Sequence, residues 1–239
     1  MSEKQSIRPA STVVLLRDGD QGLETLLLKR NKALAFAGGF WVFPGGSLDA
    51  EDLAAARGDE EQAARIAAAR EAMEECGQQP QPDDMVLLSH WTTPEAESRR
   101  FSTWIYAAPL RCDEEVVIDG GEIHDSQWMP VAQALEAHRA GELAILPPTW
   151  ISLVTLSHYR DVDEAIARER ESPAPRVLPV LAGFEGGLVA LYRGDAGYDA
   201  ADPGLPGARH RACLKEGVWS YVYEGVDSEY PPLMPIPEE

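Results

Sequence analysis

No stretch of the chain approaches the roughly 18 apolar residues of a membrane span. The opening MSEKQSIRPA also lacks the apolar core of a secretory leader. A soluble cytoplasmic protein is expected, with no membrane partner. Cysteine is scarce: Cys76, Cys112 and Cys213 are odd in number and far apart. That spacing excludes a disulfide framework and a metal knuckle, so reduced, structural thiols are expected. His90, His124, His138, His158 and His210 show no metal-ligand spacing, which excludes a zinc centre. Basic residues are outnumbered, 21 Lys and Arg against 40 Asp and Glu, for a net charge of −19. Such a field repels polyanions and excludes nucleic acid as a general partner. An acidic protein can still handle phosphates if a cluster of its carboxylates recruits a cation.

What is present supports one large domain, or one domain with an appendage: 239 residues, 44% of them hydrophobic. STVVLLR (11–17) and ETLLLKR (24–30) read as strands around the turn-rich DGDQG, and FWVF (40–43) as a third. Residues 60–76, EEQAARIAAAREAMEEC, hold no Pro or Gly and are followed by Gly77, so a helix with a glycine C-cap is predicted. DDMVLLSHW, FSTWIYAAPL and the segment ending in DSQWMP read as strands, and PVAQALEAHRAGE and PPTWISLVTLSHY as helices. From about residue 173 the composition turns to Pro, Gly and short β-like runs. The pattern predicts a layered α/β domain with a small β-rich extension that is not a separate catalytic unit, and there is no internal repeat.

Two stretches point to chemistry. WVFPGGSLDAED (41–52) is an apolar strand stopped by Pro44, Gly45 and Gly46, a tight turn built for geometry that brings backbone close to something. On the helix, at 100° per residue, Ile66, Ala69, Met73 and Cys76 fall on one side and Glu71, Glu74 and Glu75 on the other. Like charges at these spacings cost a few tenths of a kcal/mol per pair. Arg65 and Arg70 would compensate on a solvated face; a hard divalent cation would do so more completely and would keep positions open for substrate phosphates.

FPGG after a strand, then REAMEECG on a helix, resembles the Nudix hydrolase signature, in which Gly, five residues, Glu and seven residues precede R-E-U-x-E-E-x-G-U. Arg70, Glu71, Glu74, Glu75 and Gly77 match in register. Gly46 to Arg70 spans 24 residues where the pattern has 14; Asp52 stands where Glu is expected, counting back from Arg70 reaches Gln62, and Gln78 replaces an aliphatic residue. KRNKALAFAGGFWVFPGGSLDAED, HWTTPEAESRRFSTWIYAAPL, DGGEIHDSQWMPVAQAL and LPPTWISL further resemble the coenzyme A diphosphatase branch, which tends to carry an insertion inside the box. Of the wider family's coenzyme A motif, Arg30, Gly39 and FPGG are in place, while Asn31 and Ala35 replace Ser and a second Arg. The resemblance covers about residues 10 to 157.

The resemblance implies an α/β/α Nudix sandwich with a mixed sheet over residues 10–172, a flexible N-terminus (1–9) and a β-rich extension (173–239). It implies Mg²⁺ or Mn²⁺ held by Glu71, Glu74, Glu75 and Glu122, with Glu74, Glu75, Arg70 and Glu122 as the catalytic set: Arg70 orients the carboxylates, and Glu122 serves as base or further ligand. Asp125 is a fainter version of Glu122. Arg30, Gly45, Gly46, Arg99 and Arg100 are the expected substrate-binding positions. The expected reaction is cleavage of a phosphoanhydride in a nucleoside diphosphate linked to another moiety, coenzyme A or an acyl-coenzyme A first. A dinucleotide or nucleotide sugar, or a non-catalytic nucleotide-binding module, are the alternatives. A homodimer is a family expectation. Trp41, Trp91 and Trp104 are candidates for stacking on a base, though aromatic residues on strands are more often core.

Overall fold

A computed structural model of the chain describes residues 6–33, 37–110 and 115–236. Ala35 and Cys112 lie outside the described residues, as does most of the expected N-terminal tail. β1 (Arg8–Gly19) and β2 (Gly22–Arg30) are the two strands read around DGDQG and pair as an antiparallel hairpin, with Gly22 at φ 104°. Val13 to Leu16 are all fully buried, because alternate residues of β1 feed opposite faces of the sheet. Val13 and Leu15 join one core and Val14 and Leu16 the other.

The next segment departs from its reading. FWVF yields only a two-residue strand, β3 (Trp41–Val42), and the glycines form a strand of their own, β4 (Gly45–Ser47), antiparallel to β1. Neither Gly45 nor Gly46 has a left-handed backbone, so conformational freedom does not explain them. Space does. A Cβ on Gly45 would lie 2.5 Å from the Ser11 carbonyl oxygen, and one on Gly46 within 2.6 Å of the Glu71 carboxylate. A short helix the sequence did not reveal, α1 (Ala50–Ala55), follows β4.

The predicted helix is present as α2 (Glu60–Cys76); Asp59 caps it by accepting from the Glu61 and Gln62 N–H groups, and Gly77 closes it in the left-handed conformation. Its buried side is not the one expected. Ala63, Ala64, Ala67, Ala68, Ala72, Glu75 and Cys76 face inward while Met73 is 52% exposed. A stripe of alanines lets the helix sit close to β1, and close packing outweighs the larger apolar area of Ile66 and Met73.

β5 (Val86–Thr92), β6 (Phe101–Pro109) and β7 (Ile123–Pro130) follow, then α3 (Val131–Arg139), α4 (Pro147–Leu156) and an unanticipated α5 (Val162–Glu171), capped by Asp161. The eight-stranded sheet runs β3-β2-β1-β6-β5-β8, with β4 on β1 and β7 on β2; β8 is Arg176–Val177. β1–β6 and β5–β8 pair in parallel and the rest antiparallel, so the sheet is mixed. α2 covers one face; α3, α4 and α5 cover the other.

β9 (Val180–Phe184), β10 (Gly187–Leu191), β11 (Arg209–Lys215) and β12 (Val218–Glu224) form a second, antiparallel sheet, the expected extension. Ala190, Tyr192, Ala212 and Trp219 share a core with Val14, Leu135 and Trp150. The Trp219 N–H donates to His138 Nε2 at 3.0 Å and its indole N–H to the Ile145 carbonyl at 2.9 Å. Cys76 and Cys213 are free thiols, as read. Among the described residues, no helix is long and apolar enough to cross a membrane.

Candidate active site

β4 and α2 meet along two glycines and two glutamates. The Gly45 N–H donates to Glu75 Oε2 at 2.9 Å, and the room left by Gly46 is taken by the Glu71 carboxylate. Glu75 is 7% exposed, and burial pushes its carboxyl up to about 7, against the lowering effect of the Gly45 bond. Glu71 is raised in the same direction by burial, with Arg70 opposing. Glu74, one residue before Glu75, stands 59% exposed.

Arg70 organises this face. It grips Asp52 with Nε at 3.3 Å and Nη2 at 3.0 Å, and donates to the Ser47 carbonyl at 3.0 Å. It also donates to Glu71 at 2.9 Å and Glu74 at 3.3 Å. The hydrogen bond to Asp52 foremost holds its guanidinium protonated well beyond the ordinary range, with burial opposing. Asp52 is buried on α1 and also accepts from the Asp49 N–H at 2.8 Å. The signature therefore keeps its original spacing from the glycine turn to the acidic partner, and the extra residues lie between that partner and Arg70. Gln62 has no part in it.

Family comparison agrees with this geometry: a NUDIX domain model matches residues 7–147, more than half of the chain. The chain belongs to the Nudix family. It is 29% identical over 145 residues to the acyl-coenzyme A diphosphatase NUDT19 of Xenopus laevis, a match spanning 57% of this chain and 38% of that protein. The chain thus covers less than two-fifths of this relative's length. Among solved structures, a NUDIX hydrolase from Alicyclobacillus acidocaldarius superposes with a TM-score of 0.64 at 24% identity, over 71% of this chain and all of that one. That likeness shows the fold.

On the Nudix helix's far side, Arg30 lies between two carboxylates. Its Nη2 donates to Glu122 Oε2 at 3.1 Å, its Nη1 stands 4.0 Å from Glu75 Oε1, and its Nε is buried with no hydrogen-bond partner. The loop before β7 that carries Glu122 is tied down by Asp119, which the sequence reading passed over. Its carboxylate accepts from the Gly121, Glu122 and Ile123 N–H groups, and those bonds outweigh slight burial to hold it below its ordinary value. Asp followed by Gly-Gly, three residues before the Glu, is the signal that would have found it.

Not every expected residue converges. Arg99 is exposed and Arg100 donates to the Thr93 carbonyl; no hydrogen bond or ion pair joins either to the carboxylates. Trp41 and Trp91 are core residues, and Trp104 packs edge-on against His90. Among the described residues, the Asp125 carboxylate accepts only from the neighbouring Ser126 N–H. Among the described residues, no three His, Cys, Asp or Glu side chains form a ready metal cluster. Glu71, Glu75 and Glu122 are the side chains placed to build one. Their donors are all carboxylate oxygens, which suit Mg²⁺ or Mn²⁺, and Arg30 is the cation now facing two of them. A cavity of about 500 Å³ between α2, β5 and α5 is lined by Arg65, Leu87 and Arg170 and includes none of these carboxylates.

Proposed function

We propose that the protein is a Mg²⁺- or Mn²⁺-dependent hydrolase of a nucleoside diphosphate linked to another moiety, cleaving the phosphoanhydride. The observation that carries this reading is the buried Glu75 carboxylate seated on the Gly45 N–H, with Glu71 over Gly46 and Arg70 locked by Asp52. A solvated helix face has no use for a buried carboxylate whose ionisation burial opposes. A bound divalent ion would neutralise the diphosphate and lower the pKa of the attacking water. Glu71, Glu74 and Glu75 would hold it, Arg70 orienting Glu71 and Glu74. Glu122, exposed on its loop, would accept the proton from water or serve as a further ligand to the ion. Gly45 and Gly46 would let the diphosphate approach the backbone, and Arg30 would reach its phosphates only by exchanging Glu122 and Glu75 for them.

Coenzyme A or an acyl-coenzyme A is the first substrate to test, on the likeness to the frog protein of that name and on Arg30, Gly39 and FPGG. One observation favours a dinucleotide or nucleotide sugar: Arg30 is engaged by Glu122 and Glu75 and so is not free for a 3′-phosphate. The free thiols and the net charge of −19 support a reduced, cytoplasmic setting and a small-molecule partner rather than a nucleic acid. The test is a metal-dependent hydrolysis panel of coenzyme A, dephospho-coenzyme A, NADH, ADP-ribose and diadenosine polyphosphates. Coenzyme A should give 3′,5′-ADP and 4′-phosphopantetheine. Binding without turnover across the panel would leave a nucleotide-binding module in its place.

A further inference from the structure

Glu75 and Glu122 sit on separate elements, one buried on α2 and the other exposed on a loop, yet both face Arg30. One residue connects them. The Asp119 N–H donates to the Glu75 carbonyl at 3.3 Å, so the loop rests on the last turn of α2. The Asp119 side chain points onward, Oδ2 accepting from Glu122 N–H at 2.9 Å and Gly121 N–H at 3.2 Å, and Oδ1 from Ile123 N–H at 2.9 Å. Gly120, at φ 70°, supplies the reversal that turns three successive N–H groups toward one carboxylate.

Neighbouring contacts hold the same arrangement. Val117 N–H donates to the Cys76 carbonyl at 3.1 Å, and Gln78 Nε2 to the Glu115 carbonyl at 3.4 Å, fastening the loop to the helix end. From the other side, Asn31 N–H donates to the Glu122 carbonyl at 2.8 Å and Arg30 holds the Glu122 carboxylate. Glu122 is therefore fixed at its N–H, its C=O and its side chain, although it is exposed.

We propose that Asp119 is a positioning residue that sets Glu122 relative to Glu75, so that the two carboxylates act on one divalent ion as a preformed pair. The proposal rests on the metal-dependent reading above. Without the Asp119 carboxylate, three N–H groups lose their acceptor and the loop carrying Glu122 is free to move. A metal would then have to order the loop as it binds. Partners of metal ligands typically contribute about 10- to 100-fold to affinity.

The experiment is Mn²⁺ titration calorimetry, with melting temperatures, on the wild type, Asp119→Ala, Asp119→Asn, Glu75→Gln, Glu122→Gln and the Asp119→Ala/Glu122→Gln double variant. Asp119→Ala should weaken Mn²⁺ binding about 10- to 100-fold. The double variant should bind no more weakly than Glu122→Gln, because a misplaced ligand cannot be lost twice. Asp119→Asn, which keeps one acceptor oxygen, should recover part of the affinity. Wild-type Mn²⁺ affinity in Asp119→Ala, or losses that add in the double variant, would show that Asp119 only stabilises the fold and would overturn the proposal. Wild-type affinity in both Glu75→Gln and Glu122→Gln would overturn the metal-dependent reading, and this inference with it.

Discussion

Glu75 is neutralised by its own surroundings. Burial raises its carboxyl from 4.5 to about 7, so the folded protein binds a proton there more tightly than the unfolded chain. Its contribution to metal-free stability is fully present below about pH 4.5 and is lost as pH rises through 7. Glu75→Gln keeps an acceptor for the Gly45 N–H and removes the charge. Without metal, its melting temperature should therefore rise above that of the wild type as pH goes from 4.5 to 7. Its turnover should fall by orders of magnitude, since a metal stabilising transition-state charge contributes several kcal/mol and about 1.4 kcal/mol is tenfold. Glu60→Gln, at the exposed start of α2, should change neither quantity. The glycines beside Glu75 separate in the same way. Gly46→Ala meets the end of the flexible Glu71 side chain and should fold normally with impaired metal binding. Gly45→Ala meets backbone and should lose about 1–3 kcal/mol of stability in denaturant titration.

At the scale of elements, the short helix α1 matters through Asp52. The sequence offered two acidic-partner positions, Asp52 counted forward from Gly46 and Gln62 counted back from Arg70, and spacing alone could not choose between them. The fold chooses Asp52, because β4 and α1 bring it under Arg70 while Gln62 lies near the opposite end of α2, beside Leu87. Asp52→Asn would leave a permanently charged Arg70 without its bidentate partner. It should cost about 1–3 kcal/mol and lower turnover with little change in KM, as Glu71 and Glu74 lose their orientation. Asp49→Asn, exposed and 3.8 Å from Arg70, should be within about 0.5 kcal/mol of wild type.

At the scale of the whole molecule, the C-terminal sheet is joined to the Nudix unit by a shared core and by His138. The ring nitrogens of His138 lie 2.9 Å from the Leu143 carbonyl and 3.0 Å from the Trp219 N–H. An acceptor for that N–H requires the neutral ring, protonated at Nδ1. Burial lowers the pKa of His138, and of His210, from 6.5. The folded state therefore binds fewer protons, and the stability these groups contribute is present above about pH 6.5 and lost as pH falls below it. In a Glu75→Gln background, which removes the opposing slope of Glu75, the melting temperature should drop as pH falls from 6.5, and His138→Gln should flatten that drop. Because one core spans both sheets, melting should be a single transition; two transitions would show that residues 173–239 unfold independently.

The sequence by itself determined what depends on neighbours a few residues away. α2 from Glu60 to Cys76 with its Gly77 cap, the placement of Arg70, Glu71, Glu74 and Glu75 on that helix, the buried strands β1 and β2, and the β-rich character after residue 173 were all readable, because helix capping and hydrophobic runs are local. The tertiary structure decided the rest. It placed alanines rather than Ile66 and Met73 beneath α2, since the nearness of β1 sets which face fits. It made Gly45 and Gly46 matter for space rather than for backbone freedom, through atoms of Ser11 and Glu71 that are distant in sequence. It buried Glu75, set Arg30 against Glu122, 92 residues away, and fixed His138 to Trp219, 81 residues away. Those contacts are made only when separate elements pack, and no periodicity in the chain encodes them.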